Sequence, residues 1–275
     1  MTEEKLALII PVHPPYFKFM YALKDKIDVI NKCCDIFLIF SNETDYAEFK
    51  YKQEFKHLIL PPNYETNSIV TFKKFYGLNS LKQDYSYFIV CDSEIDIIDE
   101  NFTHENIMNK INDFYNAKKI FCGFVPRKKP FMEITEKCCT IFKSDDDKNK
   151  LKDLTNNYKI YYWWSDIPLY KSSHIDDFFS KINNDSTIEY KHFDHKIYVN
   201  YLILYHGFKF VDVKPLIDWN YGSLELYNDE DENNLKILKQ HDYTFSWITP
   251  RLFKNHKEYL TNNGSFMLFH IDWHN

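Results

Sequence analysis

The chain has 275 residues, 44% of them hydrophobic, and a formal net charge of −6. This length and apolar content suit one large domain, or a domain with an appendage. The acidic balance, without any block of basic residues, argues against nucleic acid as the main partner. No stretch approaches about 18 consecutive apolar residues, so we expect no transmembrane helix.

The amino terminus, the glycines and the cysteines narrow the class of protein further. The acidic start MTEEK runs directly into an apolar strand, unlike a signal peptide, so we expect a cytoplasmic protein. Only five glycines are present, and the glycine-rich loops of P-loop or dinucleotide-binding proteins are absent. The six cysteines lack C-x-x-C spacing, which favours buried reduced thiols over a zinc site.

The first part of the chain alternates apolar strands with helices. A strand–helix alternation of this kind predicts a mostly parallel sheet with crossover helices. Strands are predicted at 6–12, 35–40, 57–60 and 87–91, and helices at 16–30, about 46–55 and 67–81.

The second part is less regular. We expect 127–157, which is charged, to be an insertion or mobile loop. Asp194 is predicted to head a helix that ends at Gly207, a typical C-terminal glycine. The other predicted elements are a helix at 105–116, a strand at 119–125, an extended aromatic stretch at 158–164, helices at 173–182 and 195–205, a strand at 208–213 and an acidic helix at 229–240.

Two carboxylates follow the fourth strand, at Asp92 and Glu94. If the chain stays extended there, side chains two apart point to the same side. They would then converge at the carboxyl end of a central strand, where open α/β sheets bind their ligands. Converging carboxylates repel unless a cation lies between them, which indicates a divalent metal. The alternative is an ordinary solvated turn, since Asp96 continues the same alternation.

Several features, in this order along the chain, resemble the GT-A class of nucleotide-sugar glycosyltransferases, and the inverting members in particular. The first strand runs into Pro11-Val12-His13, the fourth ends in Asp92-Ser93-Glu94, which is similar to a D-x-D metal motif, and Phe193-Asp194-His195 heads a late helix. The segment 167–179 is similar to the acceptor-side strand and helix, and histidines lie near the carboxyl terminus. The chain departs from the pattern in having D-S-E instead of two aspartates, and Phe193 where many relatives are acidic.

The resemblance implies a fold and a division of the chain. The fold class is α/β, a GT-A-like, Rossmann-type three-layer sandwich with a mostly parallel central sheet and a C-terminal helical extension. Residues 1–213 would form the nucleotide-sugar-binding and catalytic domain. Residues 214–275 would form an extension that packs on the active site.

The resemblance also implies roles for individual residues. Mn²⁺ or Mg²⁺ would be held by Asp92, Glu94 and His270, with His274 as the alternative to His270. The base would be Asp194, with Asp166 as the second candidate; a plain helix N-cap is the alternative role of Asp194. The donor would be bound by Pro11, Val12, His13, Asn42, Glu43, Asn67, Lys74, Asp92 and Ser93.

Some side chains have a second interpretation from the sequence alone. Lys73 and Lys74 could reach the diphosphate, but an exposed helix face is slightly favoured for both. Trp163 and Trp164 either stack on the acceptor sugar or belong to the core.

The expected function is metal-dependent transfer of a sugar, as by a hexosyltransferase, from a nucleotide-sugar donor, with UDP as the favoured nucleotide. The acceptor would be a hydroxyl of a glycan or lipid-linked saccharide, and the aromatic, lysine-rich surface permits peripheral membrane contact. A nucleotidyltransferase ranks lower, because the loop after the first strand lacks the glycine-rich basic sequence. The alternative from another class is a non-catalytic sugar- or protein-binding module on a degenerate transferase scaffold.

Overall fold

A computed structural model of the chain describes residues 4–62, 69–124, 129–161, 169–184, 188–212, 239–240, 246–269 and 271. The strands are β1 (Leu6–Pro11), β2 (Asp35–Phe40), β3 (Lys56–Ile59), β4 (Tyr87–Val90), β5 (Ile95–Ile97), β6 (Lys119–Phe124), β7 (Ile160–Tyr161), β8 (Leu169–Lys171), β9 (Lys209–Asp212), β10 (Trp247–Ile248) and β11 (Met267–Phe269).

The helices are α1 (Phe17–Leu23), α2 (Ile27–Ile30), α3 (Glu43–Glu48), α4 (Ile69–Leu81), α5 (His104–Ala117), α6 (Lys129–Thr140), α7 (Asp145–Leu154), α8 (Ser172–Lys181), α9 (Asp194–His206) and α10 (Pro250–Asn262). Short 3-10 turns at Pro14–Tyr16 and Lys24–Lys26 flank α1. The predicted helix at 16–30 is therefore a series of short helical pieces.

The central sheet has the strand order β3-β2-β1-β4-β8. Strands β1 to β4 pair in parallel, whereas the edge strand β8 runs antiparallel to its neighbour. All residues of β1 and β4 are buried, as expected of strands covered on both faces. The predicted α/β class with a mostly parallel central sheet is confirmed.

Helices cover both faces of this sheet. Ile39 and Phe40 are adjacent in β2 and therefore point to opposite faces. Phe40 contacts the ring of Phe17 from α1 at 6.1 Å between ring centroids. On the other face, a Cβ added to Gly77 of α4 would lie 3.2 Å from Ile39 and 3.0 Å from Ile9. The glycine thus lets α4 lie unusually close to β1 and β2.

Two smaller sheets accompany the central one. In the first, β11 pairs in parallel with β10 and antiparallel with β5, the strand that directly follows Glu94. In the second, β6 pairs with β7 and β9. The first of these sheets connects the end of the chain to the segment after β4.

The prediction that 127–157 is an irregular loop was wrong. Its described part contains the helices α6 and α7. Ser144 caps α7 by accepting from the backbone N–H of Asp147, and Leu151 is buried. Cys138 and Cys139 of α6 are fully buried. Most of the described charged residues of this segment lie on the solvated faces of two helices, whereas Asp147 is buried.

Other predictions differ from the structure in smaller ways. The helix expected at about 46–55 is α3, which begins three residues earlier because Asn42 caps it. The predicted acidic helix at 229–240 lies outside the described residues except for its last two. Within the described ranges, five cysteine thiols are free and four of these are buried, as the reduced state predicts. None of the described helices is both long and apolar enough to cross a bilayer.

Candidate functional site

The site lies where the order of the central strands reverses. The chain passes from β1 through β2 to β3 on one side, and then returns to place β4 on the other side of β1. Parallel strands end at the same edge, so the loop after β1, with Val12 and His13, lies beside the segment after β4, with Asp92. In open α/β sheets, ligands bind at such a point.

The backbone after β4 bends at Ser93 and Glu94 and does not stay fully extended, but the side chains of this segment still alternate between buried and partly exposed. Cys91, Ser93 and Ile95 are buried, whereas Asp92 and Glu94 are partly exposed. Both carboxylates line one pocket at the sheet edge. Asp96 continues the alternation but forms an ion pair with Lys26 at 2.8 Å. The three acidic residues therefore divide into two that line the pocket and one that stabilises the fold.

Lys74 of α4 lies at the floor of this pocket, and only 4% of its side chain is exposed. Its ammonium lies 2.8 Å from Oδ1 of Asp92 and 2.9 Å from Oδ1 of Asp194. Burial alone would lower the pKa of Lys74, but the two carboxylates outweigh burial and raise it above its ordinary value. The prediction of an exposed helix face was wrong for this residue, because one turn away Gly77 brings α4 close to the sheet.

Asp194 is the first residue of α9, and it is buried. Its carboxylate does not cap the helix; the N-cap is Phe193, which provides no side-chain cap, so the simple N-cap role was wrong. Oδ1 accepts from Lys74, and Oδ2 accepts from the hydroxyl of Tyr170 at 2.9 Å. Burial raises the pKa of Asp194, and Lys74 acts in the opposite direction.

Lys73, which precedes Lys74 on α4, contacts the loop after β1. It is 1% exposed, and its ammonium donates to the backbone carbonyl of Val12. Burial lowers the pKa of Lys73 to about 8. Burial, with help from Lys73, also lowers the pKa of His13. The adjacent lysines thus reach the ends of two neighbouring strands, β1 and β4, and neither forms an exposed helix face.

Aromatic side chains from the end of the chain complete the pocket. Trp247 precedes α10 and Phe269 ends β11; their rings lie 4.5 Å apart between centroids, and both line the pocket beside His195. The backbone N–H of Ile271 donates to the carbonyl of Glu94 at 3.3 Å. The described part of 214–275 therefore packs on the predicted site.

Other predicted donor residues lie along the same edge of the sheet. Pro11 is the last residue of β1, and Ser93 is buried between the two pocket carboxylates. Asn42 and Glu43 follow β2 and line the surface there; the side chain of Asn42 accepts from the backbone N–H of Asp45 at 2.8 Å. Asn42 thus fulfils a capping role, which is compatible with ligand contact.

Several predicted residues lie outside the described part of the chain. They are Asn67, Trp163, Trp164, Asp166, His270 and His274.

The described residues fit a divalent cation by their chemistry. Asp92 and Glu94 offer carboxylate oxygens, the ligands that hard cations prefer. Among the described residues that line the pocket, one buried ammonium, Lys74, faces the three carboxylates of Asp92, Glu94 and Asp194, so their summed charge is negative. Among the described residues, no three His, Cys, Asp or Glu side chains converge on one metal position. A cation here would need further ligands, such as phosphate or water oxygens.

Sequence reasoning missed Tyr170, Trp247 and Phe269. Tyr170 reaches the site because β8 pairs with β4, which brings Tyr170 opposite Phe88. The two other aromatic residues arrive through the pairing of β11 with β5. No local pattern signals such long-range pairing, although the predicted packing of the chain end on the site was a partial indication.

Comparison with known proteins finds similarity only to solved structures. A mannose-1-phosphate geranyltransferase from Thermus thermophilus is 8% identical, with 77% of this chain and 70% of that chain covered and a TM-score of 0.33. S. aureus TarS 1-349 is 12% identical, with 71% and 56% covered and a TM-score of 0.36.

The complex of TarS 1-349 with UDP-GlcNAc is also 12% identical, with 71% and 54% covered and a TM-score of 0.34. This chain therefore spans little more than half the length of the TarS chains. Neither a family model nor a curated protein matches. A function has to be inferred from the residues of the chain itself.

Proposed function

We propose that the protein is a glycosyltransferase that uses a nucleotide-sugar donor, with the donor diphosphate and a divalent cation bound at Asp92 and Glu94. UDP is the favoured nucleotide, and the acceptor is a hydroxyl of a glycan or a lipid-linked saccharide. The proposal rests on the order of motifs that resembles GT-A enzymes and on two of these motifs, the segments after β1 and after β4, which lie at the strand-order reversal.

One observation carries the proposal: two partly exposed carboxylates, Asp92 and Glu94, line a pocket at the end of β4, beside a buried ammonium. The carboxylates outnumber the positive charge of Lys74, so a diphosphate alone would be repelled. A divalent cation bound with the diphosphate would remove this repulsion. The same charge pattern would disfavour an anionic ligand that arrives without a metal.

The neighbouring segments support a nucleotide orientation. With the diphosphate at Asp92, the nucleoside would extend along the sheet edge past Val12 and His13 towards Asn42 and Glu43. Lys73 anchors the loop after β1 through the carbonyl of Val12, so this side of the site is held by a buried contact. Trp247 and Phe269 offer apolar surface on the opposite side, beyond β4.

The chemistry required of the site is the departure of a nucleoside diphosphate from the anomeric carbon. A bound Mn²⁺ or Mg²⁺, held by Asp92 and Glu94 with His270 as the proposed third ligand, would supply Lewis-acid stabilisation of the leaving phosphate. The acceptor hydroxyl must lose its proton to a carboxylate within hydrogen-bond reach. Asp166 and Asp194 are the two proposed bases.

A thermal-shift screen of nucleotide sugars, each with and without Mn²⁺, tests the proposal. We expect a UDP-sugar to raise Tm only when Mn²⁺ is present, and Asp92→Ala to abolish the shift. Asp96→Ala is the matched control, because Asp96 lies on the same segment but pairs with Lys26. If no nucleotide sugar stabilises the wild-type protein with Mn²⁺, the proposal fails. Stabilisation without turnover on any glycan acceptor would indicate a binding module instead.

A further inference from the structure

We propose that Lys74, Asp194 and Tyr170 are positioning residues that orient the Asp92 carboxylate towards the donor, and that Asp194 is not the base. This inference rests on the proposed function and assigns Asp194 a different role within it. It also gives a role to Tyr170, which the sequence places only within the segment 167–179 and to which it assigns no individual role.

The contacts form one continuous series from the core to the pocket. The hydroxyl of Tyr170 donates to Oδ2 of Asp194, Oδ1 of Asp194 accepts from Lys74, and Lys74 contacts Oδ1 of Asp92. Of these four residues, only Asp92 has a substantially exposed side chain. Tyr170 is fully buried and the Lys74 and Asp194 side chains are each 4% exposed, whereas that of Asp92 is 47% exposed. Asp92 is therefore the member of the series that a ligand can reach.

Asp194 is poorly arranged to accept a proton from a substrate. Each of its carboxylate oxygens already accepts from a buried donor, at 2.9 Å in both cases. With only 4% of its side chain exposed, Asp194 offers a substrate hydroxyl little access to its remaining lone pairs, and displacing Tyr170 or Lys74 would leave a buried polar group unsatisfied. The raised pKa of Asp194 is a property that a general base would share, but burial accounts for it. The charge of Asp194 is needed to compensate Lys74.

Core packing fixes the other end of the series. The ring of Tyr170 stacks on Tyr198 of α9, with 4.2 Å between centroids. The hydroxyl of Tyr198 accepts from the backbone N–H of Lys171 at 3.2 Å and lies 2.9 Å from the hydroxyl of Tyr115. Tyr170 thus has little freedom to rotate away from Asp194.

These contacts determine the orientation of the Asp92 carboxylate. Lys74 holds one oxygen of this carboxylate, and this contact sets the direction in which the other oxygen points. Partners that orient a metal-binding carboxylate in this way typically contribute about 10- to 100-fold to metal affinity or activity. The ammonium also lies between two carboxylates and compensates their like charge.

Calorimetric binding of UDP, with Mn²⁺ and with EDTA, tests the assignment. Wild-type protein should bind UDP with Mn²⁺ and much more weakly with EDTA. Tyr170→Phe, which keeps the stacked ring, and Asp194→Asn should each weaken UDP binding about tenfold or more with Mn²⁺, and much less with EDTA. A purely structural role would lower both affinities alike, so the ratio of the two dissociation constants is the decisive number.

Two further variants serve as controls. Tyr115→Phe removes a buried tyrosine hydroxyl that contacts Tyr198 and the carbonyl of Leu169 but not Asp194, so it should leave the ratio unchanged. Lys74→Arg, which keeps a cation, should restore much of the Mn²⁺-dependent affinity that Lys74→Met loses.

The outcomes separate this inference from the proposed function. If wild-type protein does not bind UDP with Mn²⁺, both fail. If it binds UDP and Asp194→Asn binds equally well, the positioning role is overturned and the base is the better assignment. Should Asp194→Asn not fold, Tyr170→Phe decides, and an unchanged ratio in that variant overturns the inference.

Discussion

Two buried lysines, in different regions of the molecule, have opposite surroundings. Lys74 on α4 lies at the open edge of the central sheet between the carboxylates of Asp92 and Asp194. Lys196 on α9 is fully buried, and the thiols of Cys138 and Cys139 influence its pKa. The pKa of Lys74 is raised above its ordinary value, whereas burial lowers the pKa of Lys196 to about 7.

The difference shows that burial alone does not identify a functional charge. A buried ammonium between two carboxylates is held in its charged form, and it lines a small pocket beside the half-exposed carboxylate of Asp92. A buried amine beside thiols loses its proton more readily and is enclosed by packed side chains. The first arrangement suits a binding site, and the second suits a structural position.

The largest effect should come from removing Lys74, with the removal of Lys196 as the contrasting variant. Lys74→Met leaves Asp194 buried without its cation, and we expect a loss of about 3 to 5 kcal/mol in the free energy of unfolding. Lys196→Met replaces an amine that is readily neutral with an apolar side chain of similar length, and should be near neutral or stabilising at pH 8. Urea unfolding of the two variants measures the contrast. Equal losses in the free energy of unfolding of the two variants would contradict this contrast.

The pH dependence of stability sharpens the same contrast. The pKa of Lys196 is lower in the folded than in the unfolded state, so above about pH 7 the unfolded chain binds more protons. From this residue alone, the free energy of unfolding should therefore rise by roughly 3 kcal/mol at most between pH 7 and 9.5. Burial raises the pKa of the Cys138 and Cys139 thiols, which contribute in the opposite direction above about pH 8.5. The pKa of Lys73, lowered to about 8, adds a smaller rise.

In Lys196→Met, we expect the free energy of unfolding to lose the rise due to Lys196, whereas the contributions of Lys73 and the thiols remain. Urea unfolding at pH 6, 8 and 9.5 gives the slopes. An unchanged slope would show that Lys196 does not titrate in this range.

A smaller effect is expected at Gly77, which brings the helix of Lys74 against the sheet. A Cβ there would lie 3.0 Å from Ile9, so Gly77→Ala should push α4 outward and destabilise the fold by about 1 to 3 kcal/mol. The higher helix propensity of alanine offsets about 1 kcal/mol of this loss. Thermal unfolding beside Ser80→Ala, an exposed position on the same helix, measures the net change. Stabilisation by Gly77→Ala would contradict the close approach.

The smallest effect should come from an exposed pair. Lys82 forms an ion pair with Asp176, whose side chain is 73% exposed. Lys82→Ala should change the free energy of unfolding by less than about 1 kcal/mol, because solvent screens such pairs. The same urea experiment measures both variants. If Lys82→Ala loses as much free energy of unfolding as Lys74→Met, the loss depends on the ion pair itself and not on whether the pair is buried.

Local pattern predicted much of the fold and the centre of the site. The apolar runs of β1, β2 and β4 predicted a parallel sheet, and the i, i+2 spacing placed Asp92 and Glu94 on one side of the segment after β4. The sequence could not show that Lys73 and Lys74 are buried, because that depends on how closely α4 approaches the sheet at Gly77. Nor could it show that Asp194 faces Lys74 and Tyr170, since these contacts join residues 120 and 24 positions apart.

The charged segment 127–157 illustrates a further limit. Its polar residues favoured a loop, yet the few apolar positions that matter, such as Cys138 and Leu151, are buried against the rest of the fold. Tertiary packing of a narrow apolar face stabilised helices whose composition alone is ambiguous.

The central claim is that Asp92 and Glu94 hold a metal–diphosphate complex. Its most direct test is the calorimetric affinity of wild-type protein and Asp92→Asn for UDP at saturating Mn²⁺, with Asp96→Asn as the control. We predict that wild type and Asp96→Asn bind UDP alike, and that Asp92→Asn loses at least about tenfold in affinity. Equal binding by Asp92→Asn and the wild type, or no binding by the wild type, would contradict the claim.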